Sequence, residues 1–323
     1  MSGGIDPGCI RIRLRQQGGC ITAVEVASER PVVTSVLRGR PADEAVALVP
    51  LLFALCGKAQ GRAAGLALAA ARGVGSAPRL DPAIAAEAMR EHLWRWLLDL
   101  PPLLGVAPLK DEFALAMGWI AKGEGGRLAA FLDQPRINEL WRRLDDMDDV
   151  DDRAQVASLS LPAIDAESSL RHWPRLDAAF CALPHWQGKA AGTGALARRV
   201  GLGEGKVFAR HWRARLAELR EWASGTARVG DGGTASSVPV GPGIGRGLVE
   251  TARGLLMHEI VLDGERIAEY FIVAPTEWNF HPQGPLQSWL AGRPVEDHAA
   301  LEGFAARAVA ALDPCVRWEL AWL

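Results

Sequence analysis

The chain has 323 residues, 49% hydrophobic and 23% charged, enough apolar mass to bury a core unaided, which excludes wholesale disorder. Its 35 Gly and 20 Pro foretell many loops but stay below the level of a low-complexity chain. The formal net charge is −2 and only five of the 36 basic residues are Lys, so there is no basic field and nucleic acid is excluded as an expected partner.

The first residues, MSGGIDPGCIRIRLR, show no basic start followed by an apolar stretch and a cleavage site, so an export leader is not expected and the protein is expected to be cytoplasmic. In residues 9–27, Ile10, Ile12 and Leu14 alternate with Arg11, Arg13 and Arg15. A Gln-Gly-Gly break and a second alternating run follow, which predicts a hairpin with one wet face. From Pro41 to Arg72 an Ala- and Leu-rich stretch, with Gly57, Gly61 and Gly65 four apart, predicts one or two helices in close backbone contact. The apolar run 45–57 inside it contains Pro50 and is shorter than the ~20 residues of a membrane span, so no membrane insertion is expected.

A helix is predicted from Pro82 to Leu100, stopped by Pro101 and Pro102, with further helices near 111–121, 136–146 and 205–223. The acidic run 145–152 lacks the Gly and closing Glu of a calcium loop and reads as a solvated turn. Residues 224–247, rich in Gly, Ser and Pro, spell no phosphate-loop motif and read as a flexible loop. Two apolar runs joined by Asp263-Gly264 then predict a second hairpin. The fold class expected is α+β, mainly helical, a single domain over 1–323 with a hairpin near each end and a helical core between.

Standard catalytic signatures are missing: there is no GxSxG and no HExxH, and the seven histidines are scattered. Five cysteines, with no CxxC among them, fit reduced thiols better than a disulfide framework. Cys9 and Cys20 are expected to pair across the first hairpin or to face the core, and Cys181 is expected to pack. The suggestive positions are Cys56, in LFALCGKAQ, and Cys315, in LDPCVRW, 259 residues later. Twelve Trp against one Tyr is unusual; Trp94, Trp96, Trp186, Trp212, Trp289, Trp318 and Trp322 are expected in the core or on a partner-binding face.

Residues 245–280, GRGLVETARGLLMHEIVLDGERIAEYFIVAPTEWNF, together with LDPCVRWELAW, resemble the carboxyl-terminal part of nickel–iron hydrogenase large subunits. That family carries an E-x-P-R-G-x-L-x-H segment, a hairpin, P-T-x-W-N and a closing D-P-C-x-x-C-x-x-H. More weakly, VLRGR is similar to the family's R-G-x-E box and LFALCGKAQ to C-x-x-C-x-x-x-H, while 87–104 and GALAR at 194–198 are only faintly similar and 105–180 shows no likeness. The family's metal site uses four thiolates to hold nickel and an iron carrying CO and cyanide. On this alignment Phe53 and Trp318 stand at two of the four cysteine positions, Gln60 and Ala321 at the two histidines, Pro41 at the acid and Ala252 at the proline.

Two thiolates are too few for both metals, so nickel is not expected, but they can hold one iron whose other positions are filled by diatomic ligands. The resemblance implies Cys56 and Cys315 as metal ligands, with Arg253, Pro275, Thr276, Asp313 and Gln60 around the cyanides. His258 falls on a motif histidine and is expected to be hydrogen-bonded in the core; Glu250 is expected either to buttress Arg253 or to be solvated. Half the cysteines and no acid in the amino-terminal box is a combination that resembles the hydrogenase expression/formation proteins HupK and HoxV.

That likeness implies a carrier of the Fe(CN)2(CO) unit, without turnover, whose partners are hydrogenase maturation chaperones and the large-subunit precursor. The end at Leu323 further implies that no tail remains for a maturation protease. A diverged hydrogenase-like redox subunit and a metal-free structural subunit of a larger assembly stay open as alternatives.

Overall fold

In the computed structural model the described residues are 8–31, 33–53, 55–146, 159–199 and 206–323. The expected first hairpin forms from β1 (Cys9–Gln17) and β2 (Cys20–Glu29). Ile10, Ile12 and Leu14 point into the core with no exposure, and Gly18 and Gly19 turn the chain with positive φ of 61° and 77°. The last strand, β10 (Arg317–Trp322), pairs in parallel with β1, so both chain ends share one three-stranded sheet.

Between them lies a five-stranded sheet in the order β3 (Ser76–Leu80), β6 (Thr234–Gly241), β7 (Ile244–Thr251), β8 (Gly254–Asp263) and β9 (Arg266–Val273). The Asp263-Gly264 signal marks the β8–β9 turn, with Gly264 at φ 57°. Two short strands, β4 (Leu159–Ser160) and β5 (Ala191–Gly192), form a separate pair.

The structure overturns the reading of 224–247 as a flexible loop over its second half, where 234–241 is β6 and 244–247 is the start of β7. The reason lies in the helices predicted over 41–72, which appear as α1 (Ala42–Leu52) and α2 (Gly57–Ala71). A Cβ on Gly245 would fall well inside 3 Å of the backbone of Ala67, Ala70 and Ala71, and one on Gly247 would meet Ala63 O and Ala67 N. These glycines let β7 lie directly against α2. Between them Arg246 points to the opposite face, where Glu259 pairs with it at 2.5 Å and Ser169 and Trp173 O accept its other nitrogen, so a composition typical of loops belongs to a buried strand.

The helix beginning at Pro82 is also longer than expected. α3 (Pro82–Trp94) is capped by Asp81, whose carboxylate accepts from Ala83 N at 3.0 Å. Past Trp94 the chain widens into a π-turn over Arg95–Asp99 and tightens again at Leu100–Leu103, with Pro101 and Pro102 inside that last turn. Prolines donate no N–H, so the preceding turn re-pairs with a wider spacing and does not simply end. The remaining predicted helices form as Lys110–Lys122, Pro135–Asp146 and Val207–Ser224. Gly125–Leu132 and His298–Leu312 are longer helices that the sequence reading does not include, as are the short ones Ala166–His172, Ala178–Ala182, Ala195–Arg198, Pro275–Asn279 and Pro285–Leu290.

Trp96 and Trp212 are buried in this helical body and Trp186 in a second cluster against the five-stranded sheet, whereas Trp94 is half exposed. The acidic run begins at the end of the helix Pro135–Asp146, and its residues 147–152 lie outside the described residues. No described helix is long and apolar enough to cross a membrane.

Candidate functional site

Cys56 occupies the N-cap of α2, just after the break that follows α1. The second and third N–H groups of α2, on Lys58 and Ala59, are taken at 2.8 and 3.0 Å by the carboxylate of Glu87 on α3, which fixes the end of the helix carrying the thiol. One turn on, Gln60 Nε2 donates to Cys56 Sγ at 3.7 Å. The amide is oriented by a chain of bonds: His258 Nε2 lies 2.8 Å from Gln60 Oε1, and Tyr270 OH lies 2.8 Å from His258 Nδ1. Gln60 Oε1 can only accept, so Nε2 carries the imidazole proton and Tyr270 donates to Nδ1. His258 is thus the core histidine the sequence suggested, kept neutral by burial, its pKa pushed down to about 3. Burial raises the Cys56 thiol to about 12, assisted by the nearby Cys315 and Glu91 and opposed by Arg253 and by the Gln60 bond.

Cys315 sits between Asp313-Pro314 and β10, where Arg30 Nη2 donates to its sulfur at 2.6 Å and Thr276 Oγ1 lies 3.2 Å away. Strand register explains the meeting of Arg30 and Cys315. Across the sheet Arg317, Cys9 and Glu29 form one row, so the residue after Glu29 and the segment before Arg317 leave the sheet at the same end, ~10 Å apart, within reach of an arginine. Nothing in the sequence around Arg30 marked it.

Both cysteines line one cavity of about 630 Å³, whose wall also includes Phe53, Cys181, Tyr270 and Glu277. Cys181, expected only to pack, therefore faces the same space. All five cysteines are free, and the suggested cross-strand pair does not exist: Cys9 opposes Glu29 and Cys20 opposes Gln17, at opposite ends of the hairpin. Among the described residues no group of three or more His, Cys, Asp or Glu is arranged to hold a metal ion.

Arg253, Asp313, Pro275, Thr276 and Gln60 are buried and do not line this cavity; Thr276 and Gln60 touch it only through their bonds to the two sulfurs. The Arg253 guanidinium is held by Glu91 through Nη1 and lies 3.4 Å from Asp313 Oδ1 through Nε. Asp313, in the left-handed region at φ 56°, also accepts from Arg95 Nε at 2.6 Å, and Arg95 Nη2 donates to Pro314 O at 2.8 Å. The π-turn at Arg95 thereby serves the loop bearing Cys315. Burial alone would raise the Asp313 carboxyl, but Arg253, Arg95 and Arg215 hold it below the usual carboxylate range. Glu91, which lies in the faintly similar stretch 87–104 but is not singled out there, is pushed up to about 7 by burial against the pull of Arg253. Glu250 does not buttress Arg253 and is not solvated; it pairs with Arg198 at 2.7 Å. Pro275 opens the short helix Pro275–Asn279 and so aims Thr276 at Cys315.

The His258 bonds yield one pH prediction. Because its folded pKa lies below the unfolded value of ~6.5, the neutral ring stabilises the fold above that pH, and the benefit declines as the pH drops. Glu91, raised in the fold, works in the opposite sense, so the effect is expected in a difference. The stability gap between the native chain and His258→Gln should narrow by about 1.4 kcal/mol per pH unit below 6.5. Denaturant unfolding at pH 7.0 and 5.5 measures it, and a constant gap rejects the assignment.

Three comparisons bear on this site. A family model described as nickel-dependent hydrogenase matches residues 204–317. The hydrogenase expression/formation protein HupK of Rhizobium leguminosarum bv. viciae is 32% identical, over 97% of this chain and 96% of its own. HoxV of Cupriavidus necator is also 32% identical, over 91% and 92%. The Ni-Fe-Se hydrogenase of D. vulgaris Hildenborough, in its reduced-state structure, superposes with a TM-score of 0.60 at 15% identity, covering 93% of this chain and 94% of that one. A reduced, active Ni-Fe-Se hydrogenase from Desulfomicrobium baculatum gives a TM-score of 0.54 at 13% identity, over 94% and 95%. The expected α+β large-subunit-like fold is therefore present.

Proposed function

Because the chain belongs to the family of hydrogenase expression/formation proteins that includes HupK and HoxV, we propose that it serves hydrogenase maturation as a carrier, holding an Fe(CN)2(CO) unit between Cys56 and Cys315. One observation carries this reading: two thiols 259 positions apart share one cavity wall, each with its own hydrogen-bond donor, Gln60 on Cys56 and Arg30 on Cys315.

The donor set fits such a cargo. Thiolates suit a soft iron centre, and cyanide and CO fill most of its remaining positions, so two protein ligands suffice. The bound cyanides present outward nitrogen acceptors, for which Arg30 and the Thr276 hydroxyl are available donors near Cys315. Behind them, Arg253, Asp313, Arg95 and Glu91 form a buried charge network that steadies the Cys315 loop. Gln60, oriented through His258 and Tyr270, steadies the other thiol. The protein's task on this reading is to hold and release, without turnover, between the chaperones that supply the iron unit and the large-subunit precursor that receives it.

The test is anaerobic purification from cells expressing the maturation machinery, followed by infrared spectroscopy and metal analysis. Iron with CO and cyanide bands and no nickel is the expected result. Nickel with hydrogen turnover would favour the diverged redox subunit, and a metal-free protein the structural subunit; either result ends the carrier reading.

A further inference from the structure

Two thiols on one cavity wall raise a selectivity problem. Free divalent ions, zinc above all, bind thiolate pairs readily, and ligand softness alone does not separate zinc from a cyanide-bearing iron. The cavity wall holds two guanidiniums that could discriminate, those of Arg30 and Arg38. Arg38 is exposed and spends its Nε on Ala268 O. Arg30 is mostly buried and bonded to the Cys315 sulfur at 2.6 Å. Its other terminal nitrogen is anchored 3.4 Å from Glu277 Oε1, and that carboxylate also accepts from Ser28 at 3.2 Å. The guanidinium is therefore fixed in place beside the sulfur. Arg253 cannot take this part, because Glu91 and Asp313 occupy it and it does not line the cavity.

We infer that Arg30 is a specificity residue, admitting an anionic thiolate–cyanide complex at Cys315 and rejecting bare divalent cations. The charges set the direction. Iron(II) with two cyanides and CO is neutral, and bound to two thiolates the assembly carries −2, so a fixed cation stabilises it. A bare dication on the same sulfur brings two positive charges against Arg30 at close range in a partly dry site. The guanidinium also offers further N–H donors to cyanide nitrogens, which an aquated metal ion cannot use.

The inference concerns the carrier's own site, but its decisive test does not require the cargo. The full-length reduced apoprotein is titrated anaerobically with Zn2+ against a chromophoric chelator, with circular dichroism confirming the fold of each variant. Arg30→Leu is expected to bind zinc about tenfold or more tightly than the native chain. Arg30→Lys, which keeps the charge, should stay near native affinity. Adding Cys315→Ala to Arg30→Leu should remove the gain. If Arg30→Leu does not fold, Arg30→Gln, polar but uncharged, makes the same prediction.

Equal zinc affinity in the native and uncharged variants overturns the inference. A second arm uses the anaerobic preparation: where the native protein shows CO and cyanide bands, Arg30→Leu should lower iron occupancy and shift the cyanide bands more than the CO band, and unchanged occupancy and bands overturn the inference. A native protein without such bands overturns the carrier reading and leaves the zinc result to decide on Arg30.

Discussion

Cys315→Ala is expected to abolish retention of the diatomic-liganded iron, and Cys56→Ala to do the same, with the CO and cyanide bands falling to background. With only two protein ligands, losing either leaves a single-point attachment. Metal–thiolate sites derive several kcal/mol from each ligand, so the expected loss is at least about a hundredfold in affinity. The fold should survive. Both side chains border a cavity and sit at element ends, and removing one sulfur costs on the order of 1 kcal/mol. Cys181→Ala is the matched control, since it alters a third thiol on the same wall and should leave the bands in place. Band area and iron per protein, measured on anaerobic preparations, decide the matter. Full bands in either single variant would remove that cysteine from the proposed site.

Gly245→Ala should cost about 3–5 kcal/mol of stability, more than ordinary overpacking, because the new methyl group would collide with helix backbone. Ala67, Ala70 and Ala71 have no side-chain rotation that makes room, so α2 or β7 would have to move. Gly241→Ala, whose added carbon would find only Ile244 Cδ1 at 3.7 Å, should be nearly neutral. Denaturant midpoints compare the two. If both variants match the native protein, the segment does not pack against α2 and the loop reading returns. The same displacement would reach the site, since α2 carries Cys56 and Gln60 at its first turn.

Much of the local architecture could be read before any coordinates. Alternation in 9–27 and the Asp-Gly pair at 263–264 specify hairpins, because side chains on a strand alternate faces and tight turns need particular residues. Motif order pointed to Cys56 and Cys315. The glycines at 245 and 247 misled for a physical reason: composition cannot distinguish a glycine that frees the backbone from one that makes room for a helix. Glu250 misled likewise, because its partner, Arg198, lies in a short helix with only faint family likeness.

The sequence by itself determined two of the hairpins, most of the longer helices, the family likeness and the two candidate cysteines, all of which depend on neighbouring residues or on covalent order. The tertiary structure alone decided which groups surround them. Arg30 reaches Cys315 across 285 positions only because the chain ends share a sheet in one register, and Glu91 meets Arg253 only because α3 packs beside β7. Such contacts arise from the packing of elements far apart in the chain, and no local pattern encodes them.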